Sequence, residues 1–178
     1  MRRSVGGGAA STEQPSLPDS ESVTGALARL VFVRSPELEE ALRTLVRLLG
    51  LSYVDTSRVY GVVSKGSRST AYARIWGLPS PFVRLGLCEP MYVVELVYEN
   101  VAGLTCSRLL EVLVHELLHI PRSFSGGLRS HGEWSRKSKI RELVQGLPPV
   151  ERRRLCSLVR DALRGASSNG QGMGSPRA

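Results

Sequence analysis

The chain has 178 residues, 42% of them hydrophobic, and a formal net charge of +8. That is the size of one domain with a single core. No run of about 20 apolar residues is present, so no membrane-spanning segment is expected. The stretch SVGGGAAS after Arg2 and Arg3 lacks the run of about 7–15 apolar residues that a secretory signal needs.

Both ends are poor in large apolar side chains. Residues 1–24 and 165–178 are therefore expected to be tails that cannot offset the entropy of ordering, with the folded domain spanning 25–164. Charge is uneven: residues 1–99 carry 11 basic and 10 acidic side chains, residues 100–178 carry 13 and 6. A basic half can meet nucleic acid through phosphate contacts, with the arginines at 152–154 as the densest run, but solvated helix faces explain the same pattern. Cys88, Cys106 and Cys156 are odd in number, widely spaced and without a CxxC pair. That pattern predicts reduced thiols and a cytoplasmic protein.

Along the chain, Ala26 to Val33 is apolar with a period that fits either a helix or a strand. The next element is a helix with readable ends. Ser35 suits the N-cap, Pro36 the first helical position, and Glu37, Glu39 and Glu40 the positive end of the dipole. Leu38, Ala41, Leu42, Leu45, Val46 and Leu49 recur at helical spacing, and Gly50 closes the end. The middle is β-branched and aromatic. Strands are expected at 58–63, 71–76 and 91–98, with a fourth candidate at Phe82–Leu87, separated by Gly, Ser and Pro clusters. Helical spacing then returns, capped by Thr105 and stopped by Pro121, followed by a loop with Gly126-Gly127 and helices at 132–145 and 149–163. A helix, then strands, then helices is an α+β order.

The helix before Pro121 contains His115-Glu116-Leu117-Leu118-His119, an HExxH sequence. Residues four apart share one helix face, so two imidazoles can converge on one Zn²⁺. Glu116 then sits beside the metal, where a carboxylate can take a proton from water attacking a carbonyl. Leu109, Leu110, Val112, Leu113, Leu117 and Leu118 bury the other faces, so the polar stripe must face a cleft. The chain has only three histidines, and the third, His131, follows the glycine loop. Catalytic zinc needs three protein ligands and an open position, and His131 completes that count. Glu133 and Glu142 are its rivals as third ligand. Together with Glu111, one turn before His115, they are also candidates for orienting ligand histidines. Tyr92 and Tyr98 are candidate oxyanion donors.

From Val112 to Gly132 the sequence reads VLVHELLHIPRSFSGGLRSHG, which resembles the phage-type metallopeptidase family of archaeal and viral proteins. These share an HELLHIP-like helix followed by a GGLR-x-H-like loop; Ser130 stands where a proline is expected. The resemblance implies a minimal zincin-like domain with one Zn²⁺ held by His115, His119 and His131, Glu116 as base, and a peptide or protein substrate. It also implies a strand beside the active-site helix that receives substrate in extended form, and Met91–Tyr98 is the candidate. Two other readings remain: a zinc nuclease, or a protease recruited to DNA, using the basic half; and a non-catalytic zinc-stabilised binding module. Glu116 counts against the nuclease, since the corresponding helix of that class carries a small residue there.

Overall fold

The computed structural model describes residues 29–168. The expected tail 1–24 and the end of the expected tail 165–178 lie outside them. The fold is α+β, and the described residues form a four-stranded sheet, six helices and two short 3₁₀ turns.

The first strand, β1 (Val31–Arg34), settles the described end of the ambiguous apolar stretch; residues 26–28 lie outside the described residues. Helix α1 (Pro36–Leu48) follows with the caps read from sequence: Ser35 Oγ accepts from the Leu38 N–H at 3.2 Å, and Gly50 lies just beyond the end. Leu38, Leu42 and Leu45 are fully buried on one face. Strands β2 (Val59–Lys65), β3 (Ala73–Gly77) and β4 (Tyr92–Val97) complete a sheet of order β1-β2-β4-β3. β2 and β4 run parallel; the two outer pairs are antiparallel.

This order corrects two expectations. The expected strand Met91–Tyr98 contains the interior strand β4, paired on both sides with β2 and β3, so it cannot receive a substrate strand. Phe82–Leu87 is not a strand. Pro79 and Pro81 set a short helix, α2 (Ser80–Arg84), because proline fixes φ near the helical value and suits a first turn. The open edge beside the helices belongs to β3.

Helix α3 (Tyr98–Val101) links β4 to α4 (Cys106–Leu118), whose N-cap Thr105 accepts from the Arg108 N–H. The expected helix 132–145 is split: a 3₁₀ turn at Glu133–Ser135, then α5 (Lys137–Gln145). The last helix, α6 (Pro149–Ser168), runs past Gly165, because Ala166 is still buried against the core. Helices α1 and α6 pack on β2, and α4 lies against β3 and β4. The core joins α1, Tyr92, Val94 and Leu96 of β4, Leu109, Leu110, Leu113 and Leu117 of α4, and Leu155 and Val159 of α6. No described helix is long and apolar enough to cross a membrane.

Two of the three cysteines, expected as separate reduced thiols, are brought together. Cys106, at the start of α4, and Cys156, within α6, form a disulfide with Cα atoms 5.6 Å apart, a normal span for that bond. Fifty residues separate them, so only the packing of α4 on α6 brings them together. Cys88 stays free. The cysteine pattern therefore no longer argues for a reducing compartment.

On the sheet face away from the helices, Glu95 is fully buried. It accepts from Ser64 Oγ (2.6 Å), Arg74 Nη1 (2.9 Å) and Trp76 Nε1 (2.8 Å). A carboxylate out of water is tolerable only with such partners. The last two donors flank Ile75, so the clamp fixes the pitch of β3.

Candidate metal centre

Helix α4 delivers the first two imidazoles. His115 lies in its last turn, and His119 is the C-cap residue, one position past the last helical residue. Four residues make about one turn, so both rings leave the same face, and their Nε2 atoms stand 3.3 Å apart. The chain then turns at Pro121 and comes back. The Arg129 N–H donates to the His119 carbonyl at 2.7 Å, and His119 Nδ1 stands 2.7 Å from the Arg129 carbonyl. A carbonyl can only accept, so the His119 proton is on Nδ1 and its Nε2 offers a lone pair.

The loop is held by packing rather than left free. Tyr92 is fully buried, and its hydroxyl accepts from the Gly126 N–H (2.9 Å) and donates to the Gly127 carbonyl (3.2 Å). Burial pushes the Tyr92 phenol up, the Gly126 N–H opposing, so it stays neutral and serves both roles. Phe124, with φ +45°, packs on the Tyr92 ring at 5.0 Å. Gly126 crosses Gly77 so closely that a Cβ on Gly77 would lie 2.1 Å from the Gly126 oxygen. Gly126 itself has φ +87°, which a side chain would strain. Pinned this way, the loop returns His131 to the helix, its Nε2 3.2 Å from that of His115.

The three ring nitrogens fit a metal. Two nitrogens about 2.0–2.1 Å from one tetrahedral Zn²⁺ lie about 3.3 Å from each other. His115 Nε2 faces two other Nε2 atoms at 3.3 and 3.2 Å but can donate only one proton. At most one of the two contacts can therefore be a hydrogen bond, whereas a cation among the three nitrogens gives every Nε2 lone pair a partner. Among the described residues these three histidines are the one group of side chains gathered closely enough to hold an ion.

Burial lowers the His115 pKa to about 4, with His119, His131 and Arg108 adding to the shift. His119 is lowered too, chiefly by burial and against the Arg129 carbonyl. Both rings are neutral near pH 7, the form that binds metal. Burial raises Glu116 to about 7, opposed by a hydrogen bond from the Ile75 N–H on β3. Ile75 can make that bond because the ladder to β4 uses the even-numbered residues, as in Val97 N–H to Tyr72 O and Leu78 N–H to Met91 O. The odd-numbered residues of β3 turn their backbone groups towards α4.

The other sequence candidates lie elsewhere. Glu133 and Glu142 are exposed and paired with Arg136 and Lys139. Glu111 is held between Arg108 at 2.7 Å and Arg141 at 3.7 Å. None hydrogen-bonds to a histidine among the described residues. Tyr92 is committed to the loop and Tyr98 to Ser167, so neither hydroxyl is free to meet a substrate oxygen. Sequence reasoning missed the Arg129 carbonyl, the Ile75 N–H and Trp134. The Trp134 ring stands edge-on to His119 at 4.9 Å and parallel to His131 at 6.3 Å, beneath the Arg129 guanidinium at 4.7 Å. Its position gives a direct readout. Co²⁺ added to the metal-free protein should quench tryptophan emission, and Trp134→Phe should remove most of the quenching, because energy transfer falls steeply with distance. Equal quenching in both proteins would separate Trp134 from the ion.

A family model described as putative phage metallopeptidase matches residues 30–160. No curated protein and no solved structure matches. The matched span takes in the whole sheet, helices α1 to α5, most of α6 and all three histidines. The chain therefore belongs to the putative phage metallopeptidase family, whose description implies a bound metal ion and hydrolysis of peptide bonds.

Proposed function

We propose that the protein is a zinc-dependent peptidase in which His115, His119 and His131 hold one Zn²⁺ and Glu116 is the general base. The observation that carries this reading is the set of three Nε2 atoms 3.2–3.3 Å from neighbour to neighbour, with a buried carboxyl raised to about 7 one residue along. An all-imidazole set suits zinc better than magnesium or calcium, which prefer oxygen. Bound there, a zinc ion supplies a Lewis acid that makes water acidic near neutral pH and polarises the scissile carbonyl.

The rest of the chemistry falls to the chain. Glu116 takes the proton of the attacking water and returns it to the leaving amine, and a pKa near 7 suits both transfers. The Ile75 N–H orients one carboxylate oxygen, leaving the other for the water. The outward backbone groups of Ala73 and Gly77 on β3 can pair with an extended peptide, so recognition begins with main chain. Edge strand β3 takes the part that the sequence assigned to Met91–Tyr98.

Protein stripped of metal and reloaded with zinc should cleave a denatured polypeptide and leave RNA intact. Cleavage of RNA instead would favour the nuclease reading, and inertness towards both would favour a binding module.

A further inference from the structure

Beside the histidines, between the Tyr72–Ala73 end of β3, α4 and α5, lies a cavity of about 410 Å³. Val112 and Ile140 give it an apolar wall. Arg108, Glu111 and Lys137 give it a charged one. Glu111 is already shared by Arg108 and Arg141. The neighbouring cations are matched as well: Arg136, just before α5, by Glu133, and Lys139 within it by Glu142. Lys137 alone on that helix has no acidic partner among the described residues, and it stands at this cavity. The cavity thus offers a hydrocarbon surface ending at an unmatched cation. Lys137 is itself exposed, so an anion brought to it gains a charge-assisted hydrogen bond that solvent partly screens.

A peptide pairing antiparallel with β3 would put the residue after the scissile bond at the Ala73 end, over this cavity. The residues before that bond would lie towards Trp76 and Leu128, which line a smaller concavity of about 280 Å³. We propose that the 410 Å³ cavity is a specificity pocket for a substrate carboxylate, its stem lying on Val112 and Ile140 and its oxygens on Lys137. The carboxylate can belong to a glutamate side chain or to the free C-terminus of a short peptide. The inference rests on the peptidase reading for its register, but not for its charge preference.

The test is equilibrium binding, read by fluorescence anisotropy on zinc-loaded Glu116→Gln protein, so that peptides are held without being cut. The probes are labelled alanine-glycine peptides, amidated, with Glu, Gln or Lys at one central position; a further pair ends in a free or an amidated carboxylate. Glu should bind about two- to fivefold tighter than Gln, an advantage that shrinks with added salt. If the terminal carboxylate is the true occupant, the free-acid peptide shows that advantage instead. Adding Lys137→Glu should abolish the advantage and favour the Lys peptide; Lys137→Met should abolish it without reversal. Arg122→Glu changes net charge equally at a site outside the cavity and should leave the preference intact. A preference that survives Lys137→Glu, or falls equally with Arg122→Glu, overturns the proposal, as does absence of binding by any probe. A wild-type protein that cleaves peptides with no charge preference sinks the pocket and keeps the peptidase. One that cleaves nothing, while the Lys137-dependent preference persists, keeps the pocket and sinks the peptidase.

Discussion

Replacing Glu116 by Gln is expected to lower peptide hydrolysis by about 10²–10⁴-fold while zinc content stays at the wild-type level, because the change removes a base and no ligand. Gln has the same shape and can still accept from the Ile75 N–H, so the helix and strand should stay in place. A second effect follows from burial. The Glu116 side chain is only 9% exposed, and burial raises its pKa from the ordinary 4.5 to about 7. Its folded pKa lies above its unfolded one, so between these values the folded chain holds a proton that the unfolded chain has lost. The contribution of Glu116 to stability therefore falls as pH rises from 4.5 through 7. Gln carries no such burden. The metal-free variant should match wild type near pH 4 and exceed it at pH 8 by about 2–3 kcal/mol, measured by urea unfolding in chelator. His115 slopes the other way between about 4 and 6.5, and comparing the two proteins at each pH cancels it. Undiminished hydrolysis would remove Glu116 from the chemistry; no gain at pH 8 would show its carboxylate to be well solvated.

The local parts of this molecule were legible and the long-range ones were not. Ser35, Pro36 and Gly50 mark α1 because caps act within a few residues. HExxH marks the metal helix for the same reason: its spacing is one turn of backbone. Strand order has no local signature. Met91–Tyr98 and Ala71–Trp76 are both β-branched and aromatic, and nothing in either says which is interior and which is the edge. The edge identity of β3 emerges only from the crossing that puts β4 parallel to β2. Cys106 and Cys156 were read as unpaired because fifty residues separate them. Phe82–Leu87 misled because a short apolar run fits either period, and the flanking prolines outweighed it. At the site, the histidines and Glu116 were readable as side-chain types, whereas the groups that orient them are a backbone carbonyl at Arg129 and a backbone N–H at Ile75. Every residue but proline carries both groups, so sequence offers no mark for them. Tyr92 had a mark of another kind, a tyrosine facing inward on a strand, since a buried hydroxyl must find partners.

His115 is the imidazole to which both others turn, so His115→Ala should cost the protein its metal outright. Loss of a group that only orients a ligand lowers metal affinity about 10–100-fold; loss of the shared ligand leaves His119 and His131 alone and should cost more. Elemental analysis after dialysis should find about one zinc per wild-type chain and almost none per variant chain. Thermal unfolding gives the same answer in energy. Free zinc at a thousand times its dissociation constant adds about 4 kcal/mol to wild-type stability, and the variant should gain almost none of it. In chelator the comparison changes sense with pH. The folded His115 pKa of about 4 lies below the ordinary 6.5, so from 6.5 down to 4 the unfolded chain takes up a proton that the folded chain refuses. The His115 contribution to wild-type stability therefore declines as the medium is acidified through that window, while alanine has nothing to titrate. Any deficit of the metal-free variant at pH 8 should narrow towards pH 4. The two halves have opposite causes: with zinc the ring is a ligand, and without it the ring is a base kept from water. A variant that retains stoichiometric zinc and the full thermal shift would mean that the cation, if one binds, does not sit among these three rings.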